Sequence, residues 1–177
     1  MTDDRRILLL RGVNVGGVRL PMADFRALLT GLGLSGVQTF IQSGNAVFRA
    51  KGDPVPAISA GLKDRFGLDL TLFLYDLPTY RAILDANPYA DAGRADGSKV
   101  HILFLARPAP DMDLAGALAL AEGGEALTLT PRALYFYAPN GMGNSVMAGK
   151  LPKFLKVPVT YRNQRSAEAI LALAETL

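Results

Sequence analysis

The residues that most often carry covalent or metal chemistry are scarce in this chain and stand apart from one another. It has no cysteine, which excludes a thiolate nucleophile, a zinc-thiolate centre and any disulfide. Its one histidine, His101, lies inside the apolar run K-V-H-I-L-F-L, where a partly buried structural imidazole is the expected role. A Ser-His-Asp triad would have to run through that residue, and neither Ser43 nor Ser145 stands in a G-x-S-x-G turn. Asp111-Met112-Asp113 reads as a helix entry and not as a carboxylate cluster, so neither a metal nor a cofactor is expected. An enzyme working through Arg, Asn, Tyr and backbone amides stays open.

Three stretches have the composition to hold an anion. The first is R-G-V-N-V-G-G, Arg11 to Gly17. Gly12, Gly16 and Gly17 permit positive φ and close approach of a ligand, and Arg11 could pair with an anion. Asn14 could cap a turn or bind a ligand amide. The stretch is neither G-x-x-x-x-G-K-[ST] nor G-x-G-x-x-G, so neither nucleotide signature applies. A tight packing loop, with Arg11 neutralising a buried carboxylate, explains the same residues. The second stretch, Gln42-Ser43-Gly44-Asn45, is either a plain hairpin turn or a ligand loop. In the expected topology it lies at the opposite end of the sheet from the first. The third, Asn140-Gly141-Met142-Gly143-Asn144-Ser145, precedes a helix and is either a capped turn or an anion site. Lys150, Lys153, Arg162 and Arg165 follow it, which makes it the leading anion-binding candidate.

Those last residues belong to a wider asymmetry. The formal charge is only +3, yet no acid occurs between Glu125 and Glu168, while Arg132, Lys150, Lys153, Lys156, Arg162 and Arg165 do. The run reads either as a phosphate-attracting surface or as a solvated face that meets acids of the first half. For nucleic acid, Ser43 to Ala50 can be compared with the RNA-recognition consensus on a third strand. Asn45, Val47 and Ala50 stand where aromatics belong, so the first half is not that motif. Tyr135 and Tyr137 share a strand face and could stack bases or pack against another layer.

These loops need elements to position them, and the periodicity supplies a repeated order. Ile7 to Leu10 lacks alternation and reads as a strand covered on both faces. Met22, Phe25, Leu28, Leu29 and Leu32 keep helical spacing, with Pro21 at the first turn. Val37 to Ile41 and Ala46 to Arg49 are two strands; Pro54 to Phe66 is a helix and Leu68 to Tyr75 a fourth strand. Leu77 to Ala86 is a linking helix, and Ala90 to Ser98 reads as a mobile loop. The order then recurs. Val100 to Leu105 is a strand, Met112 to Leu120 a helix, and Ala126 to Leu129 with Leu134 to Ala138 a strand pair. Asn144 to Val157 is a helix broken by Gly149 and Pro152, Val159 to Tyr161 a strand, and Ser166 to Leu177 a closing helix. The expectation is an α+β protein of two ferredoxin-like βαββαβ halves, 1–76 and 99–177, joined by 77–98.

The same stretches resemble a known family. R-G-V-N-V-G-G with the following L-P-M-A-D-F-R-A-L-L, and I-Q-S-G-N at Ile41 to Asn45, are similar to the uncharacterised bacterial domain-of-unknown-function family sixteen ninety-seven. So are Asn87-Pro88-Tyr89, Lys99-Val100-His101, Pro139 to Gly143, and Arg162-Asn163. The resemblance implies an α+β fold of two related halves and no particular activity. After Arg-Asn that family usually continues with Trp, whereas Gln164 follows here, so Arg162 and Asn163 keep any inherited role and Gln164 does not.

The functional expectation is a non-catalytic binding protein for an anionic ligand, a phosphorylated metabolite or a nucleic acid. A metal-free enzyme with a site between the halves and a homodimeric interaction module are the alternatives. The ligand-binding residues expected are Arg11, Asn14, Gly16, Gly17, Gln42, Ser43, Asn45, Asn140, Gly141, Gly143, Ser145, Lys150, Lys153, Arg162 and Asn163. No membrane is expected as a partner, since no apolar run approaches the roughly 20 residues of a span. The start, Met1 to Arg6, lacks the apolar core of a secretory signal, and a cytoplasmic location is expected.

Overall fold

Two four-stranded antiparallel sheets organise the chain, in strand orders β2-β3-β1-β4 and β6-β7-β5-β8. The structure is a computed structural model describing residues 4–177; Met1, Thr2 and Asp3, where the expected first half begins, lie outside the described residues. The first sheet is built from β1 (Arg5–Leu10), β2 (Ser35–Phe40), β3 (Asn45–Arg49) and β4 (Leu72–Asp76). Helices α1 (Met22–Gly31) and α2 (Val55–Phe66) cross between them. The second sheet holds β5 (Val100–Leu105), β6 (Ala126–Leu129), β7 (Ala133–Tyr137) and β8 (Val159–Asn163), with α5 (Leu114–Leu118) and α6 (Val146–Leu155) as crossovers. Helices α3 (Leu77–Asp85) and α4 (Ala90–Ala95) join the halves, and α7 (Gln164–Glu175) closes the chain. Both halves are split βαββαβ units, ferredoxin-like and α+β, as the periodicity indicates.

Each unit has its own core on the helix-bearing face of its sheet. In the first, Leu8, Leu10, Ala46 and Phe48 meet Phe25, Leu28 and Leu29 of α1 and Ile58 and Leu62 of α2. In the second, Leu103, Leu134 and Phe136 meet Met147, Leu151 and Leu155 of α6. Residues of the opposite faces, Ile7, Leu9 and Val47 in one unit and Ile102, Phe104 and Tyr135 in the other, are buried as well. This two-sided burial is why β1 and β5 read as continuous apolar runs.

The chain divides into Met1–Ala82 with Ala169–Leu177, and Ile83–Glu168. The end of α7 therefore belongs with the first half and not, as expected, with the second. Its anchors there are specific: Arg81 Nη2 lies 2.6 Å from Glu175 Oε1, and a Cβ at Gly36 would sit 3.1 Å from the Leu177 side chain.

Three sequence expectations are corrected. The segment read as a mobile loop, Ala90 to Ser98, is α4 followed by a 3₁₀ turn, with Gly93 and Gly97 buried. A Cβ at Gly93 would meet the Gln164 Cβ at 2.5 Å and the Val100 Cβ at 2.9 Å, so the small residues serve close packing. Helix α6 is not broken by Gly149 or Pro152; Met147, Leu151 and Leu155, buried at intervals of one turn, hold it together across the missing N–H. β4 begins at Leu72 and not at Leu68, because β1 ends at Leu10, the partner of Leu72.

Two alanine substitutions test this packing with opposite signs. Gly93→Ala is expected to destabilise by about 1–3 kcal/mol, because backbone-proximal atoms of β5 and α7 must move. Gly149→Ala, on exposed helix with nothing within 4 Å of the added carbon, is expected to stabilise by roughly 0.5–1 kcal/mol. Urea unfolding midpoints measure both.

Candidate functional site

β1 and β3 run antiparallel side by side, with Leu9 opposite Asn45. The exit of β1 and the turn before β3 are therefore at the same end of the sheet, which corrects the expectation that they lie apart. The Leu10 N–H donates to the Gly44 carbonyl (2.9 Å) and the Arg11 N–H to the Thr71 carbonyl (3.2 Å), after which the chain leaves the sheet. Gly44 is required at that contact: its φ is +75°, and a Cβ there would sit 2.8 Å from the Leu10 Cβ.

Asn14 locks the two loops together. Its Nδ2 donates to the Leu20 carbonyl (3.0 Å) and to the Gln42 carbonyl (2.6 Å), and its Oδ1 accepts from the Leu20 N–H (2.9 Å). Val13 and Leu20, both buried, anchor the loop on either side. Both Nδ2 hydrogens are thus committed, and Asn14 holds the shape of the loop, the turn-capping role its sequence position allows. Asn45, expected as a ligand contact, is instead committed to the fold. It is fully buried, and its Nδ2 donates to the Phe40 carbonyl (3.1 Å), closing the hairpin. Ser43 also has an interaction partner within the protein.

The loop held by this latch has an open polar lining. φ is positive at Gly12 (+75°), Asn14 (+57°) and Gly16 (+57°) and negative at Val13 and Val15 between them; the alternation ends at Gly17, which is positive again (+88°). Alternation of this kind turns successive N–H groups toward one concavity, the arrangement called a nest, which favours anions. Among the described residues, none accepts a hydrogen bond from the backbone N–H of residues 12–17. A Cβ built at Gly12, Gly16 or Gly17 meets nothing within 4 Å, so these glycines meet a conformational need and face open space. Arg11 and Arg19 flank the loop, both exposed. Arg11 has no carboxylate partner among the described residues, so the reading in which it neutralises a buried acid is not realised. In the adjoining turn Ile41 has φ +50°, a costly conformation for a β-branched residue, and is 49% exposed beside exposed Gln42.

The third stretch does not assemble with the basic residues that follow it. The Ser145 Oγ caps α6 by accepting from the Ala148 N–H (3.0 Å). Asn140 lies with its Nδ2 2.5 Å from where a Gly123 Cβ would be; Gly141 (φ +86°) and Gly143 form the turn. Lys150 and Lys153 are exposed further along α6. Arg162 is 8% exposed and lies on the sheet face opposite α6, beside Ile102. Its Nη1 donates to Thr160 Oγ1 (2.8 Å) and to the Tyr161 carbonyl (2.6 Å). Arg165 donates to the carbonyls of Arg94 and Ala95, and Asn163 Oδ1 caps α7 through the Ser166 N–H. The acid-free run is therefore one buried arginine, Arg162, one exposed arginine bound to backbone carbonyls, Arg165, and several surface cations.

Gln164, where relatives were expected to carry Trp, is fully buried and joins a polar chain. Its Oε1 accepts from Asn87 Nδ2 (2.8 Å) and its Nε2 donates to Glu168 Oε1 (2.8 Å), which also takes the Arg94 Nε (2.7 Å). Sequence reading missed this network, although Asn87 beside Pro88 and an amide next to Arg-Asn were its visible signs. The two tyrosines are packed: Tyr135 is fully buried with its hydroxyl donating to the Ile83 carbonyl (2.6 Å), and Tyr137 stacks on Tyr89 at 5.7 Å. Tyr135 is closed to a base, and one face of the partly buried Tyr137 is taken by Tyr89. Burial holds the His101 imidazole below its ordinary value of 6.5, and its Nδ1 has no partner among the described residues. Among the described residues there is also no group of three or more metal-ligating side chains, and no helix long and apolar enough to cross a membrane.

The chain belongs to the family described as Protein of unknown function (DUF1697), which matches residues 4–135. The match takes in both loops of the first unit and stops short of Pro139 to Gly143 and Arg162-Asn163. Among solved structures the chain is similar to the conserved bacterial protein SP0830 from Streptococcus pneumoniae, at 23% identity and a TM-score of 0.69. That likeness covers 98% of this chain and 99% of the other. At this identity it establishes the shared fold. No curated protein matches the chain.

Asn14→Ala removes three hydrogen bonds and leaves a positive φ, and is expected to cost roughly 2–3 kcal/mol. Asn14→Gly relieves the φ strain and isolates the hydrogen-bond loss; faster exchange of the Leu20 amide in both variants would report the opened latch. His101 yields a pH dependence. Because the folded ring resists protonation and the unfolded ring does not, the unfolded state binds more protons below 6.5. Stability is therefore fully present above 6.5 and declines as pH falls from there toward 5. Urea midpoints across that range should show this slope in the native protein and a flatter one in His101→Gln.

Proposed function

We propose that the protein is a non-catalytic binding protein for a phosphorylated small ligand, held at the end of the first sheet by the loop of residues 11–17. One observation carries this reading: six consecutive backbone N–H groups, residues 12–17, without an acceptor among the described residues, on a loop whose φ alternates in sign from Gly12 to Gly16 and whose shape is fixed by Asn14. Such a loop presents donors already oriented, so a phosphate pays little ordering entropy on arrival. Arg11 supplies the positive charge, and the Gln42 backbone is tied to the same loop through Asn14. A hydrogen bond to a charged group contributes about 1.5–3 kcal/mol, so two or three amides with one arginine suffice for binding in the millimolar to micromolar range.

The packed tyrosines weigh against a nucleic acid read by base stacking and leave the phosphate as the recognised group. A cytoplasmic location goes with this reading, since phosphorylated metabolites are held there and the chain uses no disulfide.

Calorimetric titration of the full chain with inorganic pyrophosphate and with a sugar phosphate tests the proposal. Both are expected to bind, and Arg11→Ala to weaken them by about 5–30-fold, equivalent to about 1–2 kcal/mol. Anisotropy with a labelled single-stranded oligonucleotide across a salt series separates the sources. Tight binding that falls steeply with salt would move the assignment to nucleic acid. Unchanged pyrophosphate affinity in Arg11→Ala would reject the site.

A further inference from the structure

The second unit repeats the first, so its corresponding end can be located residue by residue. The Leu105 N–H donates to the Arg132 carbonyl (3.0 Å) and the Ala106 N–H to the Pro158 carbonyl (3.0 Å), as Leu10 and Arg11 do to Gly44 and Thr71. At that end the second unit has no glycine loop. It has an open pocket of about 280 Å³ between the segment after β5 and the β6–β7 turn, lined by Pro108, Ala109, Pro110, Leu129, Thr130 and Pro131. Four of these six are exposed or partly exposed apolar residues, and the three prolines need no rearrangement to receive a guest.

Cations border this pocket. Arg107 directly precedes its first residue and Arg132 follows its last; both are exposed and neither pairs with a carboxylate among the described residues. The C-terminal end of α6 meets the segment that follows Pro110, where the Asp113 N–H donates to the Phe154 carbonyl (3.2 Å). Exposed Lys153 and Lys156 lie at that end of α6. The lysines also suit the negative end of their helix, but Arg107 and Arg132 have no helix terminus to serve. Of the two acids nearby, Asp113 caps α5 through the Gly116 N–H (2.8 Å), leaving exposed Asp111.

We propose that this pocket is a docking site for an acidic peptide segment of a partner protein, with one apolar side chain seated among the prolines and carboxylates on Arg107 and Arg132. The size favours a single anchor: the pocket falls just under the roughly 300–1,000 Å³ of small-molecule sites, and it is open, so it cannot enclose a free metabolite. A single buried anchor in a charged rim is how small protein interfaces concentrate their affinity. The proposal is independent of the phosphate reading, since it concerns another unit and other residues.

The probe is a labelled short peptide of Asp and Glu with one central Phe, compared by anisotropy with its central-Ala counterpart on the full chain. The Phe peptide is expected to bind at least ~10-fold more tightly, and Arg107→Glu combined with Arg132→Glu to weaken it by at least ~10-fold. Amide shift mapping on the unaltered protein is expected to place the peptide at residues 106–113 and 129–132, which keeps the test independent of how the variants fold. Equal binding of the two peptides, shifts confined to other residues, or no binding by either peptide would overturn the proposal. A single-stranded oligonucleotide displacing the peptide from these same residues and binding more tightly than it would also overturn it, in favour of nucleic acid.

Discussion

The antiparallel pairing of β1 with β3 is the constraint on which the candidate site depends. Because Leu9 faces Asn45, the residues after Leu10 and those before Asn45 must emerge at one end of the sheet. Neither loop could be latched otherwise: the Asn14 amide reaches the Gln42 carbonyl across 28 positions of sequence only because the strands have already closed that distance. The pairing of β5 with β7 imposes the same condition on the second unit, with Phe104 opposite Ala133. One topology used twice thus produces two ends built alike, with amides lining one and prolines the other.

Polar side chains in the second unit are mostly engaged with the protein itself. Arg162 satisfies a strand hydroxyl and a carbonyl, Arg165 covers the last carbonyls of α4, and Gln164 links Asn87 to Glu168. Burying such groups costs free energy unless their donors are matched, and here they are matched locally. The positive charge of this segment is consequently a poor guide to where an anion would bind. The more informative feature is the reverse one, the backbone N–H groups of residues 12–17, for which no acceptor stands among the described residues.

How much was legible in the sequence follows the same division. The uninterrupted Ile7 to Leu10 run and the spacing of Met22, Phe25, Leu28 and Leu29 disclosed two-sided strands and an amphipathic helix, because burial imposes those periods directly. The repeat of element order was visible for the same reason. Ala90 to Ala95 was not, since Ala and Gly in close packing look like a flexible loop until the surface they approach, Gln164 and Val100, is known. Gly12, Gly16 and Gly17 marked a loop of positive φ, and Asn14 could be read as a turn cap, but its partner across the hairpin was not legible: the Gln42 carbonyl is a backbone atom that any residue would supply. Proximity in sequence misled for Ser145 and Arg162, which a sheet separates. The proline pocket was overlooked because Pro108, Pro110 and Pro131 read as loop punctuation.

The central claim is that the amides of residues 12–17 are held open for an anion, and amide-resolved NMR during titration with inorganic phosphate tests it most directly. The account predicts saturable downfield shifts confined to Gly12 through Gly17 and Gln42, as each N–H gains a charged acceptor, with chloride at equal ionic strength producing none. Shifts spread over the lysines of α6 with residues 12–17 unmoved, or no saturable change at all, would contradict it.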